Sequence, residues 1–239
     1  MKKLGFLTSR LIAHRGLHNN QYLENTLGSF KQAMICDYTI ELDIHLLKDN
    51  TVIVYHDDNL KRLTGIDRKI KDCTYDEIKE IKGIHIPSLK EVLDLVQGKM
   101  PILIEYKYDT KVGHLEKESA KLLDNYKGDF AVQSFNPLTI LWFKLNRPNY
   151  VRGQLVSNIF PNNFLINYVL RKMFTNVITN PDYIAVNLEM LKDENIQKLR
   201  NKYLVLGYTI HSKKDFLIYK DKADNFICNI GKEPNKALG

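Results

Sequence analysis

Short runs of β-branched, aromatic and other apolar residues alternate along the chain with longer stretches whose apolar positions recur at helical spacing. The runs are Leu11–Ala13, Tyr38–Asp43, Val52–Tyr55, Ile102–Tyr106, Phe130–Gln133, Arg152–Val156, Tyr183–Val186, Leu204–Thr209 and Asn225–Asn229. Their lengths and compositions predict strands. Between them the spacing predicts helices over Thr26–Cys36, Ser88–Val96, His114–Tyr126, Pro137–Leu145, Asn163–Phe174, Leu191–Lys202 and Lys213–Tyr219. Ser88 and Glu91 have the offset of a capping box. Strands alternating with helices point to an α/β fold on a parallel sheet.

One pair of runs breaks the rule. Only Ile44–Thr51 lies between Asp43 and Val52, too little chain for a parallel crossover of about a dozen residues. These two runs are therefore predicted to form an antiparallel ribbon. A turn centred on Lys48-Asp49-Asn50-Thr51, rich in turn formers, would set Asp43 opposite His56. Removing the return arm leaves eight strands, which predicts a single (β/α)8 TIM barrel. The 239 residues match the roughly 250 typical of that fold. Residues 1–239 read as one domain without repeat or linker, with 60–86 a small insertion above the barrel mouth.

Composition narrows the class. Hydrophobic residues are 44% and charged residues 26%, which excludes a disordered, collagen-like or coiled-coil chain. The net charge of +7 favours anionic partners: nucleic acid, phosphorylated metabolites or lipid headgroups. Cys36, Cys73 and Cys228 are odd in number and far apart, so they suggest neither a disulfide framework nor structural zinc. Met1–Leu7 is basic then apolar, but Thr8, Ser9 and Arg10 cut the apolar stretch short of a signal core. No stretch reaches the roughly 20 apolar residues of a transmembrane helix, and a soluble cytoplasmic protein is expected. Phe160–Val177 could make peripheral lipid contact, though an outer barrel helix burying its apolar stripe explains the pattern better. Trp142, Phe143 and Leu145 beside Lys144 and Arg147 likewise read as packing, and no nucleic-acid partner is expected. None of these features sets an oligomeric state.

Active sites of such barrels lie at the carboxyl ends of the strands, where this chain gathers polar residues. His14, Arg15 and Gly16 follow the first run; Glu41 and Asp43 sit two apart on the second, hence on one face. Glu105 lies near the end of the fourth run, with Lys107 two residues on. If Ile40, Leu42 and Ile44 face the helices, the carboxylates point into the barrel. Any one of these residues alone is better explained as a solvated edge or a structural contact. Together, two imidazoles (His14 and His56), two fixed cations and three carboxylates form too costly a cluster to keep for packing. An all-oxygen donor set suits a hard cation such as Mg2+ or Ca2+. Metal and Arg15 would neutralise phosphate oxygens while the two His exchange protons, which is the layout of a phosphoryl-transfer site. No Walker loop is present.

The ordered segments Ala13-His14-Arg15-Gly16, Leu23-Glu24-Asn25-Thr26-Leu27, Ile40–Asp49, Val52–Asp57 and Ile104-Glu105-Tyr106-Lys107 resemble the glycerophosphodiester phosphodiesterase family. Weaker similarity runs on through Pro87–Leu93, Gln133-Ser134-Phe135 and Tyr208-Thr209. The resemblance implies a TIM barrel related to the phosphatidylinositol-specific phospholipases. It further implies metal ligands Glu41, Asp43 and Glu105, catalytic His14 and His56, and phosphate contacts from Arg15 and Lys107. The implied reaction is hydrolysis of a small glycerophosphodiester to sn-glycerol 3-phosphate and an alcohol with one divalent cation. The alternatives are a lysophospholipase D or phospholipase C-like enzyme, and an idle phosphodiester-binding barrel, which would be expected to lack an essential imidazole. Glu24 and Asn25 either orient Arg15 and the first loop or cap the helix at Thr26. Leu23, Tyr208 and Cys228-Asn229 depart from the family pattern, which bears on substrate contacts rather than on the reaction.

Overall fold

A computed structural model describes residues 2–107, 111–157 and 175–229. One sheet carries β1 Ile12–Ala13, β2 Thr39–Leu46, β3 Val52–Val54, β4 Ile102–Tyr106, β5 Phe130–Ser134, β6 Val151–Val156, β7 Tyr183–Asn187, β8 Leu204–Ile210 and β9 Asn225–Cys228. Its order is β1-β9-β8-β7-β6-β5-β4-β2-β3, and a parallel β1–β2 pairing closes the ring. Only β3 is antiparallel, so eight parallel strands make the barrel.

The described helices are α1 Leu27–Ile35, α2 Lys61–Thr64, α3 Tyr75–Lys79, α4 Leu89–Val96, α5 His114–Leu123, α6 Pro137–Asn146, α7 Asn176–Thr179, α8 Glu194–Leu199 and α9 Lys213–Tyr219. Local chemistry sets their starts. Thr26 and Ser29 exchange side-chain-to-backbone hydrogen bonds at the head of α1, and Ser88 and Glu91 do the same at α4. Asn136 caps α6, with Pro137 in the position that needs no N–H. The expected Leu191–Lys202 helix is instead a 3-10 turn over Leu188–Lys192 followed by α8. Asp193 divides them, its carboxylate accepting from the Asn195 N–H at 2.8 Å. The expected Asn163–Phe174 helix lies outside the described residues, as does nearly all of Phe160–Val177, of which Val177 is exposed. Trp142 and Phe143 do pack against the core, whereas Leu145 faces solvent.

Alternation along the strands sorts the side chains. Ile40, Leu42 and Ile44 of β2 and Ile102 and Ile104 of β4 point outward. There they share one core with Phe30 and Ala33 of α1 and Leu89, Val92 and Val96 of α4. The opposite faces fill the barrel floor with Ile12, Leu103, Ala131, Tyr183, Ala185, Leu206 and Ile227. Leu7 joins them from a 3-10 turn, Gly5–Leu7, which Asn225 at the start of β9 holds by donating to Leu7 O at 2.6 Å. Gly153 is required here, because a Cβ at this position would lie 2.1 Å from the Tyr183 ring.

The ribbon forms, but its register differs from the sequence expectation by one residue. Leu47 donates its N–H to Thr51 O at 2.9 Å, and Asn50 takes the left-handed conformation (φ 67°) that Asn tolerates. The loop is thus three residues long, Lys48-Asp49-Asn50, rather than four. Ile44 faces Val54, and Asp43 O accepts from Tyr55 N–H rather than standing opposite His56. Residues 60–86 hold α2, a 3-10 turn at Ile70–Asp72 and α3. They bury Leu60, Ile70, Cys73, Ile78 and Ile86 against Leu47, Ile53 and Tyr55 of the ribbon, apart from the main core.

Candidate active site

The carboxyl ends of β1, β2 and β4 converge. His14 N–H donates to Cys228 O at 3.0 Å and extends the β1–β9 pairing by one residue. Arg15 (φ 57°) and Gly16 (φ 76°) then turn the chain sharply, and a Cβ on Gly16 would come within 2.5 Å of Ser29 Oγ. This turn aims the Arg15 N–H at Glu41 Oε2, 2.8 Å away. Glu41 and Asp43 project inward from β2, and the sheet register sets Asp43 beside Glu105 of β4. One oxygen from each of Glu41, Asp43 and Glu105 falls within 4.8 Å of the others, and all three residues are buried. Lys107 Nζ lies 2.7 Å from Asp43 Oδ1 and also donates to Glu105 Oε1. Arg15 Nε approaches Asp43 Oδ2 at 3.3 Å, and Asn25 Nδ2 donates to the same oxygen at 2.8 Å.

Burial drives the charge balance. It raises the Glu41 carboxyl well above the usual range, with Asp43 and Glu105 adding like-charge repulsion. Glu105 is also raised by burial, against the pull of Lys107. Burial would raise Asp43 too, but Lys107, His56 and Arg15 outweigh it and hold this carboxyl well below its ordinary value. Lys107 is in turn held up, against burial, by Asp43 and Glu105. Ionised together, three buried carboxylates would outnumber the two cations, so the raised Glu41 and Glu105 call for a further positive charge on these hard oxygen donors. That donor set fits a hard divalent cation.

The imidazoles differ. Burial, reinforced by Arg15, lowers His14 to about 3, so its ring is neutral at neutral pH. His56 is lowered by burial, with Asp43 pulling in the opposite direction. Its Nδ1 meets Asp57 Oδ1 at 2.6 Å, and His45 Nε2 lies 3.1 Å from its carbonyl oxygen. Both His14 and His56 line a cavity of about 200 Å³ with Arg15, Glu41, Glu105 and Lys107. Gln133, Phe135, Leu155, Tyr208, Thr209 and Ile227 form its remaining wall.

All seven residues singled out in the sequence therefore meet at one mouth. Glu24 reaches Arg15 (2.9 Å) and Asn25 reaches Asp43, while Thr26 itself caps α1, so the orienting contacts and the cap are separate residues. Of the departures, Leu23 is exposed and Cys228 packs outward among the helices, while its neighbour Ile227 faces the cavity. Tyr208 does line the cavity; its hydroxyl donates to Val156 O at 2.8 Å and its ring meets Phe135 edge-on. Sequence reasoning gave no role to His45, Asp57 or Arg62, and of the far wall it marked Tyr208 alone as bearing on substrate contacts. His45 could have been found by extending the two-residue period of Glu41 and Asp43, but Arg62 carries no such signal.

Fold and site together define a (β/α)8 phosphodiesterase-type enzyme. The glycerophosphoryl diester phosphodiesterase family model matches residues 14–221, and the chain belongs to that family. A glycerophosphodiester phosphodiesterase of Bacillus subtilis is 30% identical over 234 residues, spanning 85% of this chain and 77% of the relative. The mouse lysophospholipase D GDPD1 is 38% identical over 143 residues, 53% of this chain and 44% of that protein. Among solved structures, a glycerophosphodiester phosphodiesterase from Thermotoga maritima superposes with TM-score 0.75 at 27% identity, over 92% of this chain and 94% of the other. An Oleispira antarctica phosphodiesterase in complex with the product sn-glycerol-3-phosphate shares the fold, with TM-score 0.81 at 22% identity over 96% and 95% of the two chains. No helix among the described residues is long and apolar enough to cross a membrane.

Proposed function

We propose that this protein hydrolyses glycerophosphodiesters to sn-glycerol 3-phosphate and an alcohol by two-histidine acid/base catalysis with one divalent cation, Mg2+ or Ca2+. The observation that carries the reading is the convergence of three buried carboxylates, two imidazoles, Arg15 and Lys107 around one cavity. Glu41, Asp43 and Glu105 would hold the cation, which supplies positive charge to the phosphoryl oxygens when bound. Arg15 and Lys107 add fixed positive charge to the same phosphate. His14, neutral at working pH, takes the proton from the nucleophile. His56 returns a proton to the departing alcohol; Asp57 on Nδ1 and Asp43 nearby support its protonated form. Glu24 and Asn25 support Arg15 and Asp43.

The nucleophile on this reading is the glycerol 2-hydroxyl, giving a cyclic phosphate that water then opens. A tethered, well-oriented hydroxyl has an effective molarity on the order of 10⁵ M, an advantage that water lacks. Residues 1–239 act as one barrel domain, with 60–86 bracing its mouth; the family match over 14–221 and the contacts of Arg62 described below support this. The free thiols Cys36, Cys73 and Cys228 are in keeping with a reducing cytoplasm.

The test is metal-supplemented turnover of glycerophosphocholine, glycerophosphoethanolamine, glycerophosphoglycerol and a lysophospholipid in parallel. Release of sn-glycerol 3-phosphate from the first three, suppressed by chelator, is expected. Preference for the lysophospholipid would replace this reading with a lysophospholipase D; full activity in excess chelator would remove the metal. Comparable rates for glycerophosphocholine and its 2-deoxy analogue, with no cyclic species on rapid quench, would show direct attack by water.

A further inference from the structure

We propose that Arg62 is a positioning residue, which holds both Arg15 and His56 in register by bridging Glu24 and Asp57 across the mouth. The proposal rests on the functional reading above for the roles of Arg15 and His56. Arg62 sits on α2, in the segment that leaves the ribbon, and all three of its guanidinium nitrogens are engaged. Nη2 and Nη1 reach Glu24 Oε1 and Oε2 at 2.6 and 3.2 Å, and Nε reaches Asp57 Oδ2 at 2.5 Å. Each carboxylate also touches a site residue, Glu24 through an oxygen it shares with Arg62 and Asp57 through its other oxygen. Glu24 Oε1 also accepts from Arg15 Nη1 at 2.9 Å, and Asp57 Oδ1 meets His56 Nδ1 at 2.6 Å. The result is an alternating chain, Arg15–Glu24–Arg62–Asp57–His56, which ties the loop after β1 to the loop after β3.

Stability is a poor explanation for it. The Arg62 side chain is 45% exposed, and an ion pair with one partner so open to solvent adds little to stability. The planar fork does something a point charge cannot, since it fixes two carboxylates relative to one another at once. A carboxylate held on Nδ1 leaves the other nitrogen of His56 as the one that can meet a leaving group. The segment bearing Arg62 is itself anchored, because Leu60 is buried in the small core beneath it and its carbonyl accepts from the Tyr55 hydroxyl at 3.2 Å. In this arrangement residues 60–86 are a brace whose working end is one guanidinium.

The experiment compares wild type, R62A, R62K and R62Q of the full chain, with R68A as control, on glycerophosphocholine with saturating Mg2+. Arg68 makes an ion pair of the same kind with Glu77 in the same segment but touches no site residue. R62A should lose on the order of 10- to 100-fold in kcat while KM and Mg2+ affinity stay within about threefold, with R62K intermediate and R68A unchanged. Imidazole 15N NMR, with His56 assigned by its absence in H56A, should show a single His56 ring form in wild type that becomes mixed in R62A. A kcat in R62A within about twofold of wild type overturns the proposal. So does a loss shared equally by R68A, or one confined to KM or Mg2+ affinity. If R62A does not fold, R62Q, which keeps a polar side chain and loses the charge and the fork, carries the comparison. If wild type turns over no diester, the functional reading fails, and the bridge is then decided by the His56 spectra alone.

Discussion

The two ends of the barrel interior are built from the same strands and obey opposite rules. On β4, Leu103 and Glu105 point the same way two residues apart, yet one packs in an apolar floor and the other in a buried charged cluster. Across β1 the change is from Ile12 to His14 within the same distance. At the floor every neighbour is satisfied by contact, so burial lowers the free energy of the folded state. At the mouth burial does the reverse, raising Glu41 and Glu105 and pulling down His14. The difference teaches that one closed sheet can store unfavourable electrostatics at one end because dispersion and hydrophobic burial at the other hold it shut.

The largest expected effect breaks the mouth. Replacing Glu41, Asp43 or Glu105 by Ala should lower kcat by on the order of 10³-fold or more and abolish calorimetric Mg2+ binding. The metal-free melting temperature should not fall for Glu41→Gln, which removes the repelled charge but keeps an acceptor for the Arg15 N–H; a large loss of Tm there would place Glu41 with the floor. Next come the imidazoles, each worth on the order of 10²- to 10⁴-fold. An activated ester with a good leaving group should rescue His56→Ala more than His14→Ala, and equal rescue would reject the assignment of acid and base.

The floor should answer in the opposite currency. Leu103→Ala is expected to cost about 2–5 kcal/mol in denaturant unfolding while kcat stays near wild type. If activity falls as much as in the carboxylate variants, the two ends are not separable. The smallest effect belongs to neither end. Glu91, capping α4, is held down to about 2: burial opposes this, but the Tyr75 hydroxyl and the Ser88 N–H outweigh it. A depressed carboxyl adds stability above its unfolded value, near 4.5, and that stability is lost as pH falls through 4.5 towards 2. Glu91→Gln should therefore flatten the acid limb of a stability curve slightly and leave turnover at neutral pH untouched.

Much of the barrel was legible because its signal is local. Strand runs carry a two-residue period and helix heads carry caps, and both depend only on neighbours in the chain; Ser88–Glu91 and Glu41–Asp43 are read directly from spacing. The site was legible for a related reason, since strand ends define one mouth and the residues there need only be placed, not packed. What escaped depended on single backbone choices or on long-range partners. Asn50 closing the ribbon in three residues shifted Tyr55 into the place expected for His56, and no hydrophobic pattern distinguishes the two loops. Asp193 cutting a helix in two is a side-chain competition that periodicity averages away. Arg62 meets Glu24 across 38 residues, and an arginine in a polar segment looks the same whether it is solvated or bridging.

The Tyr183 ring lying over Gly153 has a consequence for how this sequence can drift. Neither position can change by itself: any β-carbon at 153 collides with the ring, and losing the ring leaves a void under Gln133, to which its hydroxyl donates at 3.3 Å. The two sites form an epistatic pair on neighbouring strands, joined by their register. In an alignment of relatives they should covary, with a bulkier residue at one appearing only with a smaller residue at the other. A laboratory lineage should cross that ridge only by a double substitution or through a destabilised single mutant.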